Sequence, residues 1–584
     1  MPTRPLPDDP SFEHLRKQAK RLLHAVRAGD ADARAQVEEF HPRAREVLAQ
    51  FSLAHAQLVI ARSYGFPSWT ALKNHLADIE PYIWNPPPAP DPTSRVDVFI
   101  RLACLTYLPG WIPSNPARAL RMLADDSELA VTNIYTAAAV GDVDAVRAAI
   151  DRDRALVNLK GGPLHWEPLL YACYSRLTFP SHSTVDVARL LLSRGADPNA
   201  GFLMEGRYAF TALTGVFGRG EDWPNQPPHP EYDALATLLL EAGADPNDGQ
   251  TLYNRHFQDN DDHLTRLFVY GLGRESRDPW LKRLRDENSR PATMLVQQLC
   301  WAAAKNFRAR VTLLVEHGVD VNAPSPRSGR TPYQEALREG HHAVAEYLAR
   351  HGAKKIDLDP LETFAIACIA GRRAEARQRL ADDPALLDRL GHAGRVDLLH
   401  RALDAKSADG IRLIVELGVD INAMVPGTGL DRSVLHNAAG WGGLELVRLL
   451  LELGADPNLC DPTYHAKPIG WAVHNHQRDV IEYLLRFADI FDAVNAGGID
   501  RVRELLDRDP SLAHARNADG VPLAFYLHPE TPRLGEMVAL LAAHGADFGA
   551  RTPDGRTPVD RALARGWIEL ADLLREAGSG TAPD

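Results

Sequence analysis

Imidazole and carboxylate side chains are densest between Tyr253 and Gly273, where His256 and His263 fall among Asp259, Asp261 and Asp262. A divalent metal would want such groups at close range. The same residue types in a connecting loop more often face water, and that is the expectation here. Cys104, Cys173 and Cys368 sit in the apolar phrases LACL, YACY and IACI, which suits compact core residues better than nucleophiles. The five cysteines are widely spread and contain no C-x-x-C pair, so neither a disulfide framework nor a zinc site is expected. There is no G-x-x-x-x-G-K-S/T loop, no H-E-x-x-H and no G-x-S-x-G elbow. Gly271 and Gly273 lack a third glycine and a βαβ context, so they make no dinucleotide site. Chemistry-bearing residues are present, but none falls in a catalytic pattern. The expectation is no enzyme, no cofactor and no obligatory small molecule.

The whole chain narrows the choice of partner. Of 584 residues, 77 are acidic and 65 basic, a net charge of −12 that repels phosphate backbones and anionic membranes. A local basic stripe is still compatible with that total, so nucleic acid is disfavoured rather than excluded. The N-terminus lacks the apolar stretch of a signal peptide, and no run of about 18 apolar residues occurs. Together with the cysteine usage, this leads to the expectation of a cytoplasmic protein with no membrane association.

The elements that must position any site come from self-similarity. The phrase LLLSRGADPN ends at Asn199, LLLEAGADPN at Asn247, LLVEHGVDVN at Asn322, LIVELGVDIN at Asn422 and LLLELGADPN at Asn458. Gly318 to Gly352 is 34 residues, Gly418 to Gly454 is 36 and Gly545 to Gly578 is 33. Such a period means small units that cannot bury an apolar face alone and stack to do so. The segment SVLHNAAGWGGLELVRLLLELGADPN (433–458) is the fullest copy, and RTPYQEA (330–336) and RTPVDRA (556–562) repeat its opening. This phrasing resembles the ankyrin repeat over roughly residues 97–578, about 13 units with several degenerate. The resemblance implies an all-α solenoid of helix–turn–helix units joined by short β-turns.

Physics accounts for the diagnostic positions. Thr331 and Thr557 can cap the first helix, with Pro332 and Pro558 at its first position, where a missing N–H costs nothing. Ala438 and Ala439 allow close helix approach. Gly340, Gly442 and Gly566 are expected to end first helices in a left-handed conformation, and Gly454 to end a second helix. Leu446, Val447, Leu449, Leu450 and Leu451 supply the apolar face. DRDRALVN (151–158), LADDPALLDR (380–389) and DRDPSLAHARN (507–517) read as alternative inter-repeat turns.

Several segments depart from this pattern. Residues 1–80 carry helical spacing at Phe12, Leu15, Ala19, Leu22, Leu23 and Val26, with Ser52 and Ser68 as helix caps. Residues 52–76 resemble a small helical module found ahead of ankyrin arrays in bacterial proteins; it is read as a cap over the open end or a docking module. Residues 81–96 are a proline-rich linker or strut, and 579–584 a frayed tail. The array is irregular at 200–290. There, 218–233 reads as an insertion between two helices of one unit and 253–273 as a cryptic unit. Insertions of this kind project from one face and often carry function.

The resemblance also implies where a partner would sit. Aligned units place Tyr171, Trp301, Trp471 and Phe525 in one first-helix column, which also holds Glu335, Arg401, Asn437 and Arg561. In the ankyrin fold that column lies near the concave face. Packing between neighbouring repeats is the plainer role for these aromatics. The functional reading makes them contact anchors, since aromatic and Arg side chains dominate interface hot spots. Trp441, His474, Asn475 and Arg565 belong to the same surface. His436 resembles the ankyrin histidine, whose role is a structural hydrogen bond. The leading expectation is therefore an interaction module or scaffold binding an unidentified protein through its groove and turn tips. The alternative is an enzyme, or a small-molecule or nucleic-acid sensor, with a pocket built by residues 218–273 around His229, His256 and His263.

Overall fold

The computed structural model describes residues 6, 11–84, 94–107, 114–274, 280, 284, 290–356, 358–565 and 567–579. Most of the 81–96 linker, Gly566 and the tail beyond Ser579 lie outside these residues. Two compact units emerge, one built mainly from residues up to Met294 and one mainly from Leu295 onward.

In the second unit the repeat is built as its residues dictate. Thr331 Oγ1 accepts from the Gln334 amide at 3.3 Å, and the Gln334 side chain accepts from the Thr331 amide at 3.0 Å. This reciprocal cap starts Pro332–Arg338, and Thr557 with Asp560 starts Pro558–Ala564 in the same way. Second helices such as Leu444–Glu452 turn one stripe inward, burying Leu446, Val447, Leu449 and Leu450. Each such leucine contributes about 1.5–3 kcal/mol once fully covered. The stripes join into one core running from Phe364 to Leu574. Gly340 and Gly454 are left-handed as expected, at φ of 77° and 94°. Gly442 is not. Residues 438–442 form a π-helical turn that holds one extra residue, so the left-handed position passes to Gly443 at φ 83°. Gly442 is small for another reason: a Cβ there would meet Ala438 and Leu403 at 3.3 Å.

The asparagine ending most of these repeat phrases has a role beyond opening a turn. Asn422 Nδ2 donates to the Gly454 carbonyl at 3.2 Å, while its Oδ1 accepts from the Asp456 amide at 2.8 Å. Asn322 clamps Gly352 and Lys354 identically, and in the first unit Asn158 and Asn199 clamp the turns at Gly195 and Gly243. Asn247 reaches the Gly273 amide at 2.9 Å. That last contact ties Asn247 to the turn that ends residues 249–273, the stretch that contains the expected cryptic unit at 253–273. This stretch carries helices Gly249–Arg255 and Asp262–Val269 and a left-handed Gly271.

The first unit begins with helix Phe12–Arg27, whose Leu15, Ala19, Leu22 and Val26 are buried. Ser52 and Ser68 cap the helices that follow them, and the cluster they build closes with Leu203 and Trp280. This unit also contains a small sheet that the repeat pattern gives no hint of. β1 (Ile83–Trp84) runs parallel to β2 (Gly201–Met204), which pairs antiparallel with β3 (Tyr208–Thr211), Phe202 facing Phe210. The hairpin turns through Glu205 and Gly206, both at positive φ. Residues 81–84 are thus tied into the fold by a short helical turn and a strand.

The 218–233 insertion does lie between two helices, Ala212–Phe217 and Tyr232–Glu241. It folds back instead of projecting. The fully buried Arg176 donates to the carbonyls of Pro227, Gly215 and Ser175, each at 2.8 Å. Burial, with no carboxylate paired to it among the described residues, pulls its pKa down to about 10.

Candidate functional site

The residues most able to do chemistry are spent on the fold. His229, His256 and His263 do not face water as a loop would suggest; all three are buried. His229 Nε2 lies 3.1 Å from Thr184 Oγ1, and its Nδ1 accepts from the Glu231 amide at 2.9 Å. His256 packs edge-on against Tyr253, and His263 against Phe217. Asp262 pairs with the buried Arg255 at 2.6 Å. Burial alone would raise its carboxyl, but the hydrogen bond to His263 and the Arg255 guanidinium outweigh that and hold it low. Among the described residues no three His, Cys, Asp or Glu side chains are grouped to hold a metal. Burial pushes Cys104, Cys173 and Cys368 up to about 12, leaving unreactive thiols in the core. A shallow groove of about 440 Å³ runs past Tyr333, Leu337, Ile356, Leu358 and Pro360. Its cation, Arg379, already pairs with Glu375 at 2.9 Å.

The first-helix column divides by burial. Tyr171 is wholly buried, with its hydroxyl donating to the Gly161 carbonyl and accepting from the Leu164 amide. Phe525 is also buried, in the short turn Leu523–Tyr526. Neither can anchor a partner, because their units lack the full first helix or insert Trp166 and Tyr135 beside the ring. Trp301 is half-buried, and Lys305 sits 5.5 Å from its ring while bonding to Asp404. Arg401 is 11% exposed and holds Glu339 at 3.1 Å and Asp397 at 3.6 Å, so it ties repeats together. Asn475 is buried and His474 exposed.

Trp441 and Trp471 come together, joined by Tyr464 and Arg432, which lie outside the column, while Asn437 turns to His400. Asn437 Nδ2 lies 2.9 Å from His400 Nδ1. Trp441, 41% exposed, meets Trp471 edge-on at 5.5 Å between centroids, and Tyr464, 70% exposed, meets Trp471 at 5.8 Å. The Arg432 guanidinium lies 4.6 Å from the Trp471 ring and 5.6 Å from that of Trp441. Trp471 is fixed by its indole N–H, which donates to Asp461 at 3.0 Å. Asp461 also accepts from the amides of Thr463, Tyr464 and Ala466, a set of bonds that outweighs its burial and lowers its pKa. His436 behaves as its resemblance implies, bridging Ser433 at 2.8 Å and the Ala466 carbonyl at 3.1 Å, so it sets the spacing of the two repeats that present the tryptophans. Arg561, in the same column, stacks on Trp567 at 5.2 Å with Arg565 at 5.1 Å. A signal for Arg432 was in the sequence: it precedes the cap Ser433 just as Arg330 and Arg556 precede Thr331 and Thr557.

Comparison with known proteins matches residues 399–493 to a family model of ankyrin repeats in three copies, and residues 299–349 to another of ankyrin repeats in many copies. No curated protein matches the chain. Among solved structures, a chain in the complex of a predatory endopeptidase from Bdellovibrio bacteriovorus with an immunity protein is similar at 21% identity. The match covers 30% of this chain and 96% of that one, and its TM-score of 0.24 carries no argument about either. Capped first helices, stacked apolar second helices and the two family matches lead to one conclusion: the second unit of this chain carries ankyrin repeats.

Proposed function

We propose that this chain is a non-catalytic interaction protein that binds a protein partner through the first helices and turn tips of its second unit. Ankyrin repeats are in general protein–protein interaction modules, and two family matches fall in that unit. The observation that carries the proposal is the cluster of Trp441, Trp471, Tyr464 and Arg432. Three aromatic rings and a guanidinium, partly open to solvent and held by Asp461 and His436, have the composition and rigidity of an interface hot spot. Five free cysteines, four of them buried, favour a reducing compartment such as the cytoplasm.

Affinity capture with the tagged full chain tests this. Wild type should retain a stoichiometric partner that Trp441→Ala loses while keeping its helical circular dichroism. A partner held equally by both chains would remove this surface from the account.

A further inference from the structure

The arginines on this face are unusual in what they lack. Arg330 pairs with Glu362 at 3.5 Å and Arg556 with Asp554 at 2.6 Å. Arg432 occupies the equivalent position before its cap, yet no carboxylate lies in reach among the described residues, and its Nε is buried without an acceptor. The nearby acids are committed, Asp431 to Thr463 at 2.7 Å and Asp461 to three amides and an indole. Further along the chain, Arg561 and Arg565 flank Trp567, likewise with no carboxylate paired to them among the described residues. Burial and the neighbouring Arg565 charge pull Arg561 down to about 10, the mark of cations gathered without a counter-charge.

Resting on the partner-binding reading above, we infer that this face recognises an acidic segment of a partner protein, with Asp or Glu carboxylates seated on Arg432 and on the Arg561–Arg565 pair. A guanidinium whose face is covered by indole keeps its N–H edge for forked bonding to carboxylate. The two cationic positions are separate. Between them in sequence Lys467 faces two carboxylates, Asp489 at 2.6 Å and Asp492 at 2.7 Å. A continuous polyanion such as a nucleic acid would meet net negative charge there, whereas a peptide with two acidic clusters would not.

Fluorescence anisotropy on the full chain tests this with a labelled peptide carrying two triglutamate clusters on a glycine–serine spacer. The controls are its glutamine isostere, a phosphoserine counterpart and a single-stranded oligonucleotide. The glutamate peptide should bind, weaken with salt, and exceed the glutamine isostere by about tenfold or more. Arg432→Gln and the exposed Arg565→Gln should each lose about tenfold, and Arg432→Lys, which preserves the stem packing, should lose part of that. No binding of the glutamate peptide, equal binding of its isostere, or tighter binding of the phosphopeptide or oligonucleotide would overturn the inference. The captured partner separates the two readings. Loss on Trp441→Ala but not on Arg432→Gln leaves the surface and removes the acid; loss on neither removes both.

Discussion

Trp441 and Tyr171 stand at related first-helix positions and lead opposite lives. Tyr171 is sealed among Trp166, Tyr135 and the 161–164 turn, while Trp441 shows 41% of its surface. Residue type could nominate both, but burial depends on what neighbouring units place alongside, and that is where reading the column alone falls short. Trp441→Ala should therefore leave urea stability within about 1 kcal/mol of wild type while weakening partner binding by about 2 kcal/mol or more. Calorimetric titration of the captured partner measures the second figure. The buried imidazoles make a different prediction. Burial lowers His229, His400 and His436 below 6.5, and the Arg176 charge adds to the effect at His229. A depressed folded pKa means the unfolded chain binds protons first, so their contribution is intact above 6.5 and declines as pH falls below it. Urea midpoints should drop between pH 7.5 and 5.5, and His229→Gln should flatten that slope. Identical midpoints at both pH values would show that these rings titrate freely.

At the scale of elements, much was readable because each signal is local. A Thr-Pro pair starts a helix, glycine ends one, and a leucine stripe must face something. What escaped notice depends on distant partners. The β1–β2–β3 sheet joins residues some 120 positions apart in sequence, and the π-turn at 438–442 moved a left-handed cap by one residue. The asparagine clamps were visible only as a recurring letter. Their geometry gives them an energetic role: Asn422→Ala removes two bonds across one turn and should cost about 1–2 kcal/mol, moderated because both groups can turn to water. Gly454→Val should cost about 1 kcal/mol or more through its φ of 94° alone, since a side chain there meets nothing within 4 Å. Chemical denaturation of each variant checks both values. An unchanged Asn422→Ala midpoint would mean the clamp is incidental to stacking.

For the whole molecule, a net charge of −12 disfavours nucleic acid in the sequence and coexists with arginines left unpaired on one face. Composition could not reveal that arrangement, because charge pairing is settled only when turns and helices from several repeats converge. The irregular stretch at 200–290 is a case in point. It reads as a projecting insertion, yet Arg176 and the histidines draw it into the first unit's interior, so the open chemistry lies elsewhere. Hydrogen–deuterium exchange on the full chain, free and with its captured partner, tests the central claim most directly. Slowed exchange should concentrate in first helices and turn tips, at residues 425–442 and 459–475. Protection confined instead to second helices such as Leu444–Glu452, with those segments unchanged, would contradict it.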